Sequence, residues 1–283
     1  MKKILTLVMV ATVAFAALSC TKNSTETKVS IPAAANKADA KKITLDETVY
    51  VGSERSLSKI EFTDGGRYLL TFVTTKAVKE EYLTGSYTVV NNVYVLEDFG
   101  TITVEENNIT IEVTGEPAIE TTGTIETPNE EMEEIAQAWE VDKIDVSVKG
   151  SKGNIGFVKE GCNLEKIALE LISQAEKLGY NLTIDLGKFS GLSIKYVSFS
   201  SSGTFLVEFD NDSAYVGEMS GFKEDTGGYS FHYDLKNTGN EILNGSADCK
   251  FQPVDSNTAW LTVNVTVNEN TKGRVIFIMS KSS

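Results

Sequence analysis

Through most of the chain, apolar residues recur at every second position. In the stretch 85–113, "GSYTVVNNVYVLEDFGTITVEENNITIEV", Tyr87 and Val89 alternate with polar neighbours and Asn91-Asn92 makes a turn. Val93 and Val95 then take alternate places, as do Ile102 and Val104. After a second turn from Glu105 to Asn108, Ile109, Ile111 and Val113 resume the pattern. Alternation at period two, broken by turn residues every 8 to 12 positions, predicts an antiparallel meander with one wet face. From Ile43 to about Glu126 nearly everything reads as strand. Its last stretch, Glu116 to Glu126, "EPAIETTGTIE", reads as a connector, and Pro128-Asn129 with Glu130 and Glu131 marks a helix start with acids in its first turn. Met132, Ile135, Ala136 and Trp139 fall at i, i+3, i+4 and i+7, so a short helix is expected to join two halves. "WEVDKIDVSV" alternates again from Trp139 to Val148, and Gly150, Gly153 and Gly156 make a loose hairpin. The clearest helix is Asn163 to Leu178. Asn163 is its N-cap, Leu164, Ile167, Ala168, Leu171, Ile172, Ala175 and Leu178 form one face, and Gly179 stands at C′. Strands resume at Leu182–Leu186 and from Ile194 to the C-terminal "RVIFIM".

One phrase occurs twice. "IEFTDGGRYLLTF" (60–72) and "VSFSSSGTFLVEF" (197–209) align Phe62 with Phe199, Gly66 with Gly203, Leu69 with Leu206 and Phe72 with Phe209. Each is a strand–turn–strand hairpin with the same apolar register, in which glycine supplies the positive φ of a tight turn. Each is followed by an aromatic and a glycine, Tyr82 with Gly85 and Tyr215 with Gly217. The expected fold is therefore mostly β. Two tandem antiparallel meander or barrel-like modules, 43–127 and 128–283, are joined by the short linker helix, and the amphipathic helix 163–178 lies in the second.

The N-terminus changes the picture. Met1-Lys2-Lys3 is a basic start, Ile4 to Leu18 is apolar, and Ser19-Cys20 follow. This is a secretory signal pattern, too short for a comfortable membrane span of about 20 residues. "ALSC" resembles a bacterial lipoprotein lipobox, which implies a signal peptide over 1–19 and a lipid on Cys20. Several acyl chains, at about 0.8 kcal/mol per buried CH₂, hold a protein on a bilayer durably. Residues 20–42 are small, polar and without period, and read as a disordered tether. Removing Lys2 and Lys3 with the leader leaves 24 basic against 40 acidic residues, a formal charge of −16. Nucleic acid repels such a body, so it is not an expected partner. The expected partners are the membrane, through the anchor, and an unknown protein or small molecule.

The second copy of the repeated phrase, with "YVGEM" and with Trp139 opening a strand, resembles the lipocalin-like domains of uncharacterised lipoproteins from Bacteroidetes-type bacteria. The Gly-x-Trp of true lipocalins is absent at Trp139. The resemblance implies a calycin-type β-barrel fold and a place in the bacterial cell envelope, lipid-anchored at the outer membrane, with the periplasmic or surface side left open.

Little chemistry is written locally. With Cys20 assigned, Cys162 and Cys249 remain. Either they form a disulfide, closing a loop of about ninety residues and contributing ~4 kcal/mol, or they are two separate buried thiols. The sole histidine, His232 in "YSFHYDL", falls on the face opposite Tyr229, Phe231 and Tyr233, away from any nucleophile. Asp210, Asp212 and Glu218 form an acid run that reads as a solvated turn rather than a calcium loop. The three glycines 150, 153 and 156 lack the Lys and Ser/Thr of a phosphate loop. Tyr229, Phe231 and Tyr233 either line a ligand cavity, stacking on sugars, or form one buried strand face. No catalytic residue, metal ligand or cofactor is expected. The expectation is a non-enzymatic envelope lipoprotein of binding or interaction type. The alternatives are a lipocalin-like carrier of a small apolar or carbohydrate ligand and, further off, a carboxylate-based hydrolase. Labelling with palmitate in the native host should mark the wild-type chain and not Cys20→Ala. Equal labelling of the two, or none of either, would remove the anchor.

Overall fold

The computed structural model describes residues 40–51, 55–73, 80–126, 128–180, 185–211, 214–235, 245–268 and 271–282. The leader, Cys20 and the tether up to residue 39 lie outside the described residues. The described residues divide into two compact units, one of 40–138 together with 198–203, the other of 139–197 with 204–282.

The first unit is a closed barrel of eight strands: β1 (Lys41–Val51), β2 (Arg55–Phe62), β3 (Arg67–Val73), β4 (Glu80–Val90), β5 (Val93–Leu96), β6 (Gly100–Glu105), β7 (Asn108–Val113) and β8 (Ile119–Glu126). Each pairs antiparallel with the next, and Ile43 on β1 pairs with Ile125 on β8. β1 begins at Lys41, inside the stretch read as tether, and Ala40 is already buried. Alternation does its work on every strand. Ile43, Ile60, Phe62, Leu70, Phe72, Ile102, Val104, Ile109 and Ile111 are buried, while Thr101, Thr103, Thr110 and Glu112 face out. Asn91 and Asn92 take φ of 53° and 64°, the left-handed pair of a tight hairpin. On β5 the expected face is reversed, for Tyr94 and Leu96 are buried and Val95 is exposed. All four residues of "VYVL" are apolar, so register is decided by the partner strand, where Tyr87 pairs with Leu96 and Val89 with Tyr94.

Rings fill this barrel. Phe62 on β2 stacks on Tyr94 of β5, centroids 3.8 Å apart and planes at 17°, and meets Tyr87 of β4 at 5.1 Å. These strands are not neighbours, so the contacts span the lumen. The Tyr87 hydroxyl donates to the carbonyl of Thr63 at 2.9 Å and that of Tyr68 to the carbonyl of Glu97 at 2.8 Å, which satisfies both buried phenols. Within the same unit, Asp64 accepts from the Ser201 N–H at 2.9 Å and the Ser201 hydroxyl at 3.0 Å, Glu61 accepts from the Ser202 hydroxyl, and the Asn129 N–H donates to the Ser201 carbonyl at 2.8 Å.

The second unit repeats the plan with an insertion. Its strands are β9 (Ala138–Gly150), β10 (Gly153–Glu160), β11 (Cys162–Asn163), β12 (Ser193–Phe199), β13 (Thr204–Phe209), β14 (Ala214–Asp225), β15 (Gly228–Leu235), β16 (Gly245–Pro253), β17 (Thr258–Asn268) and β18 (Thr271–Lys281). β12 through β18 form a meander, β18 pairs with β9, and β9 pairs with β12, closing a ring of eight. Between the first and second strands of that ring stand β10, β11 and helix α1 (Leu164–Lys177), capped by the Asn163 side chain on the Lys166 N–H at 3.0 Å. α1 buries Leu164, Ile167, Ala168, Leu171 and Ala175. It also covers the outer edge of β10: Gln174 accepts from the Gly156 N–H at 3.3 Å and Glu170 pairs with Lys159 at 2.8 Å.

Three further elements differ from expectation. β8 (Ile119–Glu126) occupies most of the stretch read as a connector and pairs with β7 and β1. The linker helix is only a 3₁₀ turn, Glu130–Met132, because Trp139 belongs to β9 and the stripe has too few turns to propagate; Met132, Ile135 and Ala136 are buried all the same. Of the strand expected at Leu182–Leu186, residues 181–184 lie outside the described residues and Leu186 begins a 3₁₀ turn capped by Asp185.

The repeated phrase forms the same turn twice. The Gly66 N–H donates to the Thr63 carbonyl at 3.1 Å and the Gly203 N–H to the Ser200 carbonyl at 3.0 Å, with φ of 74° and 85°. In each barrel the aromatic two residues beyond the glycine lies opposite a glycine on the next strand, Tyr68 against Gly85 and Phe205 against Gly217. A Cβ at Gly85 would stand 2.7 Å from Tyr68 Cε1. Gly85→Ala should therefore destabilise the first barrel by about 1–3 kcal/mol through overpacking, whereas Gly156→Ala, whose Cβ meets only the Val146 carbonyl oxygen at 3.9 Å, should not. Urea melts that leave Gly85→Ala at the wild-type midpoint would refute the close ring-on-glycine approach.

Candidate functional site: the aromatic rim of the second barrel

β13 pairs with β14 only from Ala214 to Glu218. β14 runs on to Asp225, paired with β15 on one side and, among the described residues, with no strand on the other. The β14–β15 hairpin thus overhangs the ring of strands. A bulge lies between Ser220 and Lys223, where Gly221 takes φ of 63°. It puts the Phe222 ring against Tyr229, centroids 5.2 Å apart with planes at 14°, and near Phe231 at 6.3 Å and 23°. Phe222 and Tyr229 are half-buried. Opposite Tyr229 stands Phe251, buried, with Trp139 edge-on to it at 5.2 Å. Gly228 is required here, since a Cβ would lie 2.1 Å from the Phe251 carbonyl oxygen.

On the other face Asp225 holds the hairpin tip. Its carboxylate accepts from the Thr226 N–H at 2.6 Å, the Ser230 hydroxyl at 2.8 Å and Lys250 at 3.4 Å, while Lys250 Nζ also donates to the Thr226 carbonyl at 2.7 Å. The Ser230 hydrogen bond, then the Thr226 N–H and Lys250, hold Asp225 below the usual carboxylate range. His232 lies on this outer face as expected, Nδ1 at 3.0 Å from Asp248.

Of the three aromatics singled out in the sequence, only Tyr229 reaches the rim. Phe231 and Tyr233 are buried, and Tyr233 meets Phe205 edge-on at 5.6 Å. Trp139 of β9 against Phe251 of β16, three strands away in sheet order, carries rings across the second lumen as well. Phe222 was not found by alternation because the bulge shifts it out of phase; Gly221 beside it was the available signal. Tyr215 is one of the interior groups left wanting among the described residues, with Thr84, Gln137 and Ser198. It is 3% exposed, its hydroxyl has no hydrogen-bond partner among the described residues, and burial pushes its phenol well above the ordinary range.

The disulfide reading gives way to its alternative. Cys162 and Cys249 are both free and buried, on β11 and β16, five strands apart in sheet order. Burial pushes both thiols up and leaves them unreactive. Asp210 and Glu218 are exposed, Asp212 lies outside the described residues, and no three His, Cys, Asp or Glu side chains among the described residues gather to hold a metal.

Two closed eight-stranded antiparallel barrels fit a calycin-like fold. No family model and no curated protein matches the chain. Among solved structures it is similar to a protein with unknown function from the DUF3598 family of Nostoc punctiforme, with 7% identity, 86% of this chain and 94% of that one covered, and a TM-score of 0.24. It is also similar to the isotype 1 transferrin binding protein B of serogroup B Neisseria meningitidis, with 10% identity, 80% of this chain and 53% of that one covered, and a TM-score of 0.23. The chain thus spans about half the length of the latter.

Because the Tyr215 hydroxyl is buried without a partner, Tyr215→Phe should leave stability unchanged or raise it by up to about 1–3 kcal/mol, the desolvation penalty released. Calorimetry showing a loss of that size instead would mean that the hydroxyl is already bonded within the lumen.

Proposed function

We propose that this is a lipid-anchored protein of a bacterial cell envelope, built from lipocalin-like barrels, and that it binds its ligand without transforming it. The observation that carries this reading is the half-buried Phe222–Tyr229 pair on a stiffened hairpin overhanging a lumen that rings already cross. Recognition then falls to the rim. Near-parallel rings there offer a flat apolar surface, and stacking on such rings contributes about 0.5–1.5 kcal/mol per pair beyond the area buried. The free edge of β14 is poorly suited to adding a strand from another chain, because the bulge at Gly221 and the charges of Lys223, Glu224 and Asp225 protect it. A ligand with one flat apolar face, such as a sugar ring or an aromatic group, fits this rim best.

A second reading, a carrier with its ligand inside the second barrel, is favoured by one observation, the unpartnered Tyr215 hydroxyl. Native mass spectrometry of the tagless mature protein from its own envelope separates the two. Under the rim reading a copurifying mass is carried by the wild type and lost in Phe222→Ala and Tyr229→Ala. Under the carrier reading Tyr215→Phe loses it and the rim variants keep it. A wild type that carries no ligand, with rim variants indistinguishable from it, ends the rim proposal.

A further inference from the structure

A different face of the second barrel has an ordered composition. The outward residues of β10, β9, β18 and β17 fall in cross-strand rows. At one end Lys272 pairs across with Lys149, with Arg274 and Ser147 in the next row. In the middle, Thr262, Ile276, Asp145 and Val158 make one row and Trp260, Ile278, Lys143 and Glu160 another. At the far end Glu140 pairs with Ser280, whose hydroxyl donates to Asp142 at 3.2 Å. Trp260 is 42% and Val158 56% exposed, with Ile276 and Ile278 half-buried between them. Lys143 and Glu160 neutralise each other at 2.9 Å. Lys149, Lys272 and Arg274 form no ion pair among the described residues, in a chain whose formal charge is −14, and neither do Glu140 and Asp142.

A cationic end, a centre where Trp260, Ile276, Ile278 and Val158 surround Asp145 and the Lys143–Glu160 pair, and an anionic end on one sheet face are self-complementary under a two-fold axis. Rotating a second copy by half a turn sets its acids on the first copy's bases and lays one apolar centre on the other. We propose that this face is a self-association surface, occupied by a second copy of the same chain. Interleaved carboxylates at Asp145 and Glu160 disfavour an anionic membrane surface as the occupant. A two-fold copy answers both charged ends at once. From strand geometry the face extends roughly 30 Å along β9 and about 15 Å across, below the ~800 Å² per partner of a standard stable interface. The dimer is therefore reversible, forming at micromolar to submillimolar concentration, where tethering to one membrane would favour it.

The test uses the mature chain with Cys20→Ser, so that lipid does not drive association. Sedimentation equilibrium should show a monomer–dimer equilibrium weakened at least tenfold by high salt. Of the two tryptophans, Trp139 is 2% exposed, so the emission of Trp260 should shift to the blue as the dimer forms. Two charge-reversed chains decide the orientation. One carries Lys149→Glu, Lys272→Glu and Arg274→Glu, the other Glu140→Lys and Asp142→Lys. Each should lose self-association at least tenfold while keeping wild-type circular dichroism, and an equimolar mixture should recover it as a heterodimer. A wild type that stays monomeric throughout, reversed chains that associate like the wild type, or a mixture that fails to recover would each overturn the proposal. The rim plays no part in this test.

Discussion

Closure of each meander on itself is the constraint from which the rest follows. β8 returns to β1, and β18 and β12 both reach β9, so the backbone groups of the first and last strands find partners instead of lying open. A ring of eight strands encloses an interior just wide enough for side chains to fill. Alternating apolar residues on every strand must therefore meet in the middle, and large rings do so first: Phe62 with Tyr94 in one barrel, Trp139 with Phe251 in the other.

Glycine decides where rings can lie. Gly85 makes room for Tyr68, and Gly217 lies opposite Phe205, whose ring meets Tyr233 edge-on. Gly221 acts differently: its positive φ opens a bulge that turns Phe222 toward Tyr229. One residue type thus sets both the filling of the barrels and the exposure of the rim. The shared turn geometry at Gly66 and Gly203 shows that the doubled phrase encodes one local structure.

The two barrels differ chiefly in what is inserted. Between the first two strands of its ring, the second carries β10, β11 and α1. β10 widens the sheet beside β9, and α1 occupies the side opposite the outward face, bonded to β10 through Gln174 and Glu170. The insertion therefore supplies one strand of the face that is both cationic and apolar, a composition with no parallel demand in a closed barrel.

Much of the fold was legible residue by residue. Period-two alternation located the strands, Asn91-Asn92 and the glycine turns marked the hairpins, and the N-cap at Asn163 and face of α1 followed from spacing, because each signal is carried by neighbours in the chain. Signals shared between strands were not legible. The face of β5 depended on which of four apolar residues met Tyr87 and Val89 across the ladder. Separation of Cys162 from Cys249 depended on the order of strands between them. The rim pair needed a bulge that shifts phase without changing composition. Alone, the sequence determined the periodicity, the turns and hence a tandem β architecture, since these are set by local sterics and amphipathicity. Closure, cross-strand register and which aromatics end inside or at the rim were decided only in three dimensions, where residues far apart in the chain compete for the same space.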